Sequence, residues 1–381
     1  MIDINTMFND IHFQIGFSIL VSLLITLTAI PVIINISKLK DLMATIEQRS
    51  SHEELTPTLG GIAIFAATLI TYFIWETPNE SHELHLTFSA LIILFFLGIK
   101  DDILILSPKK KLFIQIAASI LVIAFSNLRI VNLYGLLNIT SVSFTYGLLL
   151  TIFIFITLIN ALNLIDGIDG LAGMVGLLIS SIFSYLFYRH NENSYAVLSA
   201  ALSGSLIGFL RYNWSTKNKI FMGDTGSLIV GFLISIFSIK YIYINSSYLY
   251  NPNLDKNAPL LVISLLLIPL FDTLRMFLLR LYEGKSPFVG DRKHFHHILI
   301  DTGFSHKKAT LTLIFGNIIF ITVFVLFLTS YSANRLLFIL FMTFIGYCLI
   351  AYWLSNRIDK GKIDRVTYKK IDKLKRIKTN I

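Results

Sequence analysis

Residues 163–170 read NLIDGIDG, and the sixteen residues before them, GLLLTIFIFITLINAL at 147–162, carry no charge. The sixteen belong to the apolar run 143–163, which is of membrane-spanning length, since about 20 such residues cross the hydrocarbon core, and Asp166 and Asp169 follow directly on it. An aspartate at mid-bilayer costs about 2.5–3.5 kcal/mol on insertion scales, and less near the interface. The acids therefore mark the point where a span meets water. The rest of the chain agrees. Of its 381 residues, 55% are hydrophobic and 14% charged, where a soluble domain is roughly a quarter charged.

Working outward from that stretch, eleven apolar runs of helical length fall near 13–34, 59–75, 86–99, 112–126, 143–163, 171–188, 195–212, 227–247, 258–279, 310–330 and 334–354. Only helices cross open bilayer without stranding backbone polar groups, and a β-barrel would show short alternating segments instead. The expectation is an all-α polytopic membrane protein of about eleven spans. One catalytic domain would cover residues 1–354, followed by a basic tail at 355–381. The start, MIDINTMFND, lacks a basic n-region and a small-residue cleavage site, so the first run reads as a retained span. Cys348 is the single cysteine, which excludes an intrachain disulfide.

Basic residues give the orientation. With spans alternating, 26 Lys and Arg fall on one side and five on the other: Arg129, Arg189, Lys240, Lys256 and Arg335. Arg275 lies inside a run. Cytoplasmic loops are the basic ones, so the N-terminus is expected outside and the C-terminus inside. Without the tail the ratio is still 16 to five. The tail itself, with ten bases and three acids after a span, reads as a contact to an anionic leaflet rather than to nucleic acid.

On this topology the acidic motifs share the cytoplasmic side. Asn163, Asp166 and Asp169 recur every three residues, which places them on one helical face if the helix continues past Gly167. GIKDDILILSPKKKL at 98–112 carries Asp101 and Asp102, then three lysines. In RYNWSTKNKIFMGDTGS at 211–227, Asp224 lies between glycines that allow close backbone approach. A helix starting at Ser227 would turn its amides toward a phosphate. The alternative use of Asp224 or Thr225 is as an N-cap. The loop at 283–306 offers Arg292 and Lys293 to phosphate oxygens, with His294, His296 and His297 beside them. These histidines lack the HExxH spacing and an accompanying cysteine, which disfavours zinc. Carboxylate oxygens suit Mg²⁺, and bases suit phosphates. Such a surface under a polytopic bundle fits phosphoryl transfer between a soluble nucleotide and a lipid, where catalysis is mostly positioning and electrostatics.

At these residues the chain resembles the polyprenyl-phosphate N-acetylhexosamine-1-phosphate transferases, glycosyltransferase family 4. The likeness runs to about residue 350 through five loop motifs in family order: TPTLGG at 56–61, Asp101–Asp102, NALNLIDGIDGL at 160–171, FMGDTGS at 221–227 and DRKHFHH at 291–297. The last is nearer the N-acetylglucosaminyl branch than the peptidoglycan branch, which is the alternative. The resemblance implies that a lipid phosphate attacks the β-phosphorus of a UDP-N-acetylhexosamine, releasing UMP, with Mg²⁺ or alternatively Mn²⁺. It implies Asp224 as the metal ligand and Asp101 or Asp102 as the acid acting on the lipid phosphate. Asn163, Asp166 and Asp169 would belong to the nucleotide site, and Phe221 would stack on uracil. Arg292, His294, His296 and His297 would recognise sugar and phosphate. One departure is RSSHEEL at 49–55, where Ser50 replaces a basic residue usual in relatives, leaving Arg49 and His52. The expected partners are a UDP-N-acetylhexosamine, undecaprenyl phosphate and membrane lipid, with a second copy of the chain as a candidate and no nucleic acid. The expected location is the bacterial inner membrane.

Other readings fit less well. A transporter would place its polar residues near mid-bilayer in broken helices. The NDxxDxxxD spacing of UbiA-type prenyltransferases is absent, and DGIDGLAG lacks the longer pattern of CDP-alcohol phosphotransferases.

Overall fold

The computed structural model describes residues 8, 10–40, 56–75, 82–104, 106–126, 128–247, 255–285 and 293–359. Among these, thirteen α-helices follow in order: α1 Ile11–Leu39, α2 Gly60–Ile74, α3 His82–Leu104, α4 Pro108–Ser126, α5 Phe144–Leu164, α6 Leu171–Arg189, α7 Asn193–Asn213, α8 Gly223–Ile244, α9 Ala258–Leu265, α10 Leu267–Tyr282, α11 Phe295–Asp301, α12 His306–Leu328 and α13 Ala333–Asp359. Every one of the eleven apolar runs is helical, and the chain is a helical multi-pass membrane protein.

Eight of these helices are long and apolar enough to cross a membrane. The count becomes nine if α9 and α10, bent by 78° at Leu266, form one broken span. Of the other two runs, α2 has only 15 residues, and α4 opens on the three lysines that follow Pro108. One element falls outside the expected all-helical plan. A two-stranded antiparallel hairpin, β1 Asn132–Leu136 and β2 Ile139–Ser141, joins α4 to α5. Its turn is fastened by the Leu137 N–H, which donates to Asn334 Oδ1 at 2.9 Å.

Helix α8 is the hub. Whereas α13 is largely exposed at the rim of the bundle, nearly all side chains of α8 are buried. It packs on α5, α3 and α2, while α7 joins α1 to α6. Small residues let these helices approach closely, as helices in lipid require. A Cβ on Gly204 of α7 would lie 2.2 Å from the Ile19 carbonyl of α1. Buried hydroxyls close back onto their own helix, as Ser22 and Thr26 do onto the carbonyls four residues earlier. At the end of α8 away from Asp224, the buried ammonium of Lys240 lies 3.4 Å from both Glu83 and Glu192. A charge is tolerated there because it is paired.

Candidate active site

Four of the five loop motifs meet around the opening turn of α8. Gly223 begins that helix with φ +71°, and a Cβ there would lie 2.0 Å from the Thr58 carbonyl. Left-handed backbone and close approach together require glycine. The TPTLGG segment is laced to FMGD through the backbone. Phe221 N–H donates to Pro57 O (2.8 Å), Gly60 N–H to Phe221 O (3.0 Å) and Gly61 N–H to Met222 O (2.9 Å). A Cβ on Gly61 would come within 2.1 Å of the Gly226 nitrogen, and one on Gly98 within 2.3 Å of Thr225 Cα. These glycines set the distance between α2, α3 and α8, and so hold the acids together.

Asp102 caps α8 from the neighbouring helix. Its Oδ1 accepts from Asp224 N–H (2.7 Å), and its Oδ2 from Thr225 N–H (3.0 Å) and the Thr225 hydroxyl (2.5 Å). The helix starts at Gly223, four residues before the expected Ser227, and its free amides hold a carboxylate rather than standing open to a phosphate. An anion at a helix N-terminus is stabilising. The amides being taken, Asp224 is no N-cap. Its Oδ1 accepts from Asn163 Nδ2 (2.5 Å) and its Oδ2 from Lys111 Nζ (3.2 Å). Asn163 also donates to Ser227 Oγ at 2.8 Å. Lys111 pairs with buried Asp101 as well, and Asp101 Oδ1 accepts from Leu106 N–H at 2.6 Å. The two adjacent acids thus separate into distinct settings: Asp102 on the helix cap, Asp101 on the lysine.

The stretch at 163–170 does not form one helical face. Helix α5 stops at Leu164, residues 165–170 are turn, and Gly170 takes φ +80°. Asp166 stays with the cluster. Burial, with the charges of Asp224, Asp102 and Asp169, pushes its carboxyl well above the usual range. Asp169 turns away. Its Oδ2 lies 2.6 Å from Lys219 Nζ and 3.2 Å from His306 Nδ1. The Asp169 carbonyl accepts from the Thr310 hydroxyl (2.9 Å) and Trp214 Nε1 (3.3 Å). Lys219 also lies over the Phe221 ring, 5.3 Å from its centroid, so Phe221 and Asp169 share one wall.

The histidine loop joins through His296. That ring is buried, its Nε2 makes no hydrogen bond, and a Cβ on Gly167 would sit 2.4 Å from it. Burial and the neighbouring His297 hold His296 well below the usual histidine range. The rings of His294 and His296 stack at 5.5 Å, and those of His296 and His297 approach to 4.3 Å. Lys293 pairs with Glu283, whose carboxyl Lys285 and Lys293 lower to about 2. Arg292, with Arg49, Ser50 and His52, lies outside the described residues.

Among the described residues, no three His, Cys, Asp or Glu side chains converge as a metal cage. Mg²⁺ needs less than that. It binds through one or two carboxylates while keeping waters and substrate phosphates. Asp224 and Asp101, both reached by the Lys111 ammonium, set two carboxylates beside each other, the number such an ion asks of a protein. The residues present fit the ion. Sequence reasoning passed over two residues: Lys111 at the acids, and Asp272, whose Oδ2 accepts from His294 Nδ1 at 2.7 Å. Lys111 was one of three consecutive lysines, and only the fold selects it. Asp272 was a lone acid inside the apolar run 258–279, which is itself a signal of function in a membrane chain.

Fold and site together define a multi-pass helical membrane protein with an acidic polar site at one end of its bundle. The profile of glycosyl transferase family 4 matches residues 84–242, from α3 through α8. The chain is 30% identical over 370 residues to a Bacillus subtilis protein named "Probable undecaprenyl-phosphate N-acetylglucosaminyl 1-phosphate transferase", covering 96% of this chain and 99% of that one. It is 28% identical over 320 residues to the undecaprenyl-phosphate alpha-N-acetylglucosaminyl 1-phosphate transferase of Escherichia coli O157:H7, with coverage of 82% and 84%. The Haemophilus influenzae protein of the same name is 29% identical over 314 residues, with coverage of 81% and 85%. The chain belongs to glycosyl transferase family 4, the polyprenyl-phosphate N-acetylhexosamine-1-phosphate transferases.

Proposed function

We propose that the protein transfers N-acetylglucosamine 1-phosphate from its UDP-activated form to undecaprenyl phosphate at the cytoplasmic face of a bacterial plasma membrane. One observation carries this reading. Asp101, Asp102, Asp166 and Asp224 crowd one end of the bundle with Lys111 between two of them. Burial and mutual repulsion push such carboxyls toward their protonated forms unless a cation joins them, and a diphosphate bound there would add more negative charge. The names of the relatives supply the substrate class.

In this reaction an oxygen of the lipid phosphate bonds to the β-phosphorus of the UDP-sugar. The bond from that phosphorus to the bridging oxygen breaks, and UMP leaves with the oxygen and the electron pair. Asp224, with Asp101 beside it, would hold Mg²⁺, which when bound neutralises charge developing on the phosphate oxygens. Asn163 fixes the Asp224 carboxylate by donating to its Oδ1. Of the Asp101–Asp102 pair, Asp101, which meets Lys111 and not the helix cap, would be the acid that orients or deprotonates the incoming lipid phosphate. Lys111 lowers the charge that this phosphate meets. Asp102 keeps α8 in register by closing its N-terminus. Phe221 and Asp169 would line the uridine side, and His294, His296 and His297 the sugar phosphate side.

The test uses the full chain in detergent with undecaprenyl phosphate and Mg²⁺, scoring UMP release and lipid product against a panel of UDP-sugars. Turnover is expected with UDP-N-acetylglucosamine and not with UDP-MurNAc-pentapeptide. UMP release from no sugar would overturn the activity. A comparable rate with the pentapeptide nucleotide would move the protein to the peptidoglycan branch.

A further inference from the structure

Asp272 sits in α10, beyond the 78° bend, and is 2% exposed. A carboxylate so placed in an apolar bundle is costly unless donors surround it. Three donors do, from elements outside α10. Asp272 Oδ2 accepts from His294 Nδ1 at 2.7 Å. Its Oδ1 accepts from the Phe295 N–H at 2.9 Å and the Tyr347 hydroxyl at 3.2 Å. Arg275 Nη1 lies 3.8 Å away and donates onward to the Lys293 carbonyl at 2.8 Å. The contacts run on from there toward the acids. The His294 ring stacks on His296, and His296 packs against Gly167, the residue after Asp166.

A carboxylate that only accepts dictates which nitrogen of a facing neutral imidazole bears the proton. Against Asp272, His294 must carry hydrogen on Nδ1. Its Nε2 is then an acceptor while the ring is neutral, and a second donor, balanced by Asp272, once the ring is protonated. A histidine used to hold a sugar hydroxyl or a phosphate oxygen needs that choice made in advance, since the wrong tautomer presents the wrong group. We propose that Asp272 is a positioning residue for the nucleotide-sugar: it holds His294 as the Nδ1–H tautomer and fixes the loop that carries it. This rests on the function proposed above. A simple staple joining α10, α11 and α13 would make the same hydrogen bonds and hold the same tautomer, but its loss would not raise KM for the nucleotide-sugar above that for the lipid.

Asp272→Asn separates the two. The amide keeps the shape but offers one acceptor and one donor, so an N–H facing His294 drives the ring to the Nε2–H form. Two measurements read this. In protein labelled with ¹⁵N-histidine, the His294 signals, assigned by their loss in His294→Gln, report the tautomer without any substrate. Steady-state assays then compare KM for UDP-N-acetylglucosamine with KM for undecaprenyl phosphate. The expected result is Nδ1–H in the parent and Nε2–H in Asp272→Asn. KM for the nucleotide-sugar should rise on the order of 10–100-fold, by analogy with the loss met when the partner orienting a metal-bound histidine is removed, with KM for the lipid within about twofold. Tyr347→Phe removes a donor to the same carboxylate and should leave tautomer and both KM values as they were. An Nε2–H signal in the parent overturns the proposal even if Asp272→Asn fails to fold. So does an unchanged tautomer in the variant, or an equal rise of both KM values. If no UDP-sugar is turned over, the proposed function has failed, and the tautomer still decides whether Asp272 sets the ring.

Discussion

Replacing Asp224 with Asn removes one charge while preserving shape. In the parent, Oδ1 accepts from Asn163 and Oδ2 from Lys111 at 3.2 Å. At that separation, the attraction to Lys111 is about 5 kcal/mol at an effective dielectric of 20 and about 1 kcal/mol in water. With 26% and 31% of the two side chains exposed, the value falls toward the lower figure. Against it stands repulsion from the neighbouring Asp101 and Asp102, which the substitution relieves. The two effects largely cancel, so the melting temperature in detergent should move by only a few degrees. Activity should not survive. If Asp224 holds a cation against the diphosphate, its loss removes on the order of 10²–10³ in rate, about 2.7–4 kcal/mol of transition-state stabilisation. The assay is UMP release at saturating Mg²⁺, beside a thermal melt of the same preparation. Activity within about threefold of the parent would refute the metal role, because the structure leaves Asp224 no capping duty to fall back on.

Gly223→Ala puts a Cβ 2.0 Å from the Thr58 carbonyl at φ +71°. The left-handed backbone alone costs about 1–2 kcal/mol and the clash adds to it, so a clear drop in melting temperature is expected; an unchanged melt would show that the TPTLGG contact yields easily. For Asp166, whose folded carboxyl is raised by burial and neighbouring acids, the native state binds the extra proton, so stability is greatest below 3.8 and falls as pH rises through the folded value. Melting in EDTA should therefore drop as pH increases from acid to neutral, Asp166→Asn should flatten that slope, and the same slope in both proteins would contradict the assignment. His296 acts in the opposite sense: held below its ordinary 6.5, it favours the fold above that value, and stability is lost as pH falls, a trend that His296→Gln should weaken in the same melts. Single cysteines at positions 101, 166, 224 and 296, in a chain lacking Cys348, should resist an impermeant thiol reagent applied outside intact cells, and labelling of any of them would reverse the orientation.

What the sequence determined by itself was the helices and which of them end in acids. Hydrophobic length and charge are properties of a contiguous segment, so eleven runs could be read from 13–34 to 334–354, and all are helical. The Asp101–Asp102, 163–170 and 221–227 motifs could be placed at helix ends on the same grounds, and they do meet. What the tertiary structure decided were the partners. Asp102 caps a helix that begins 121 residues later, at Gly223, and Lys111 reaches an aspartate at 224. A periodicity of three puts Asp169 on one face with Asn163 only if the helix continues past Gly167; α5 ends at Leu164, and the turn delivers Asp169 to Lys219 and His306. Asp272 has no motif around it at all. A hydrogen bond or an ion pair depends on where two distant backbones are set, and here that is set by glycine contacts and by a bend between α9 and α10. No local pattern encodes either. Chemistry by residue type is therefore legible in the chain, and chemistry by pairing only in the fold.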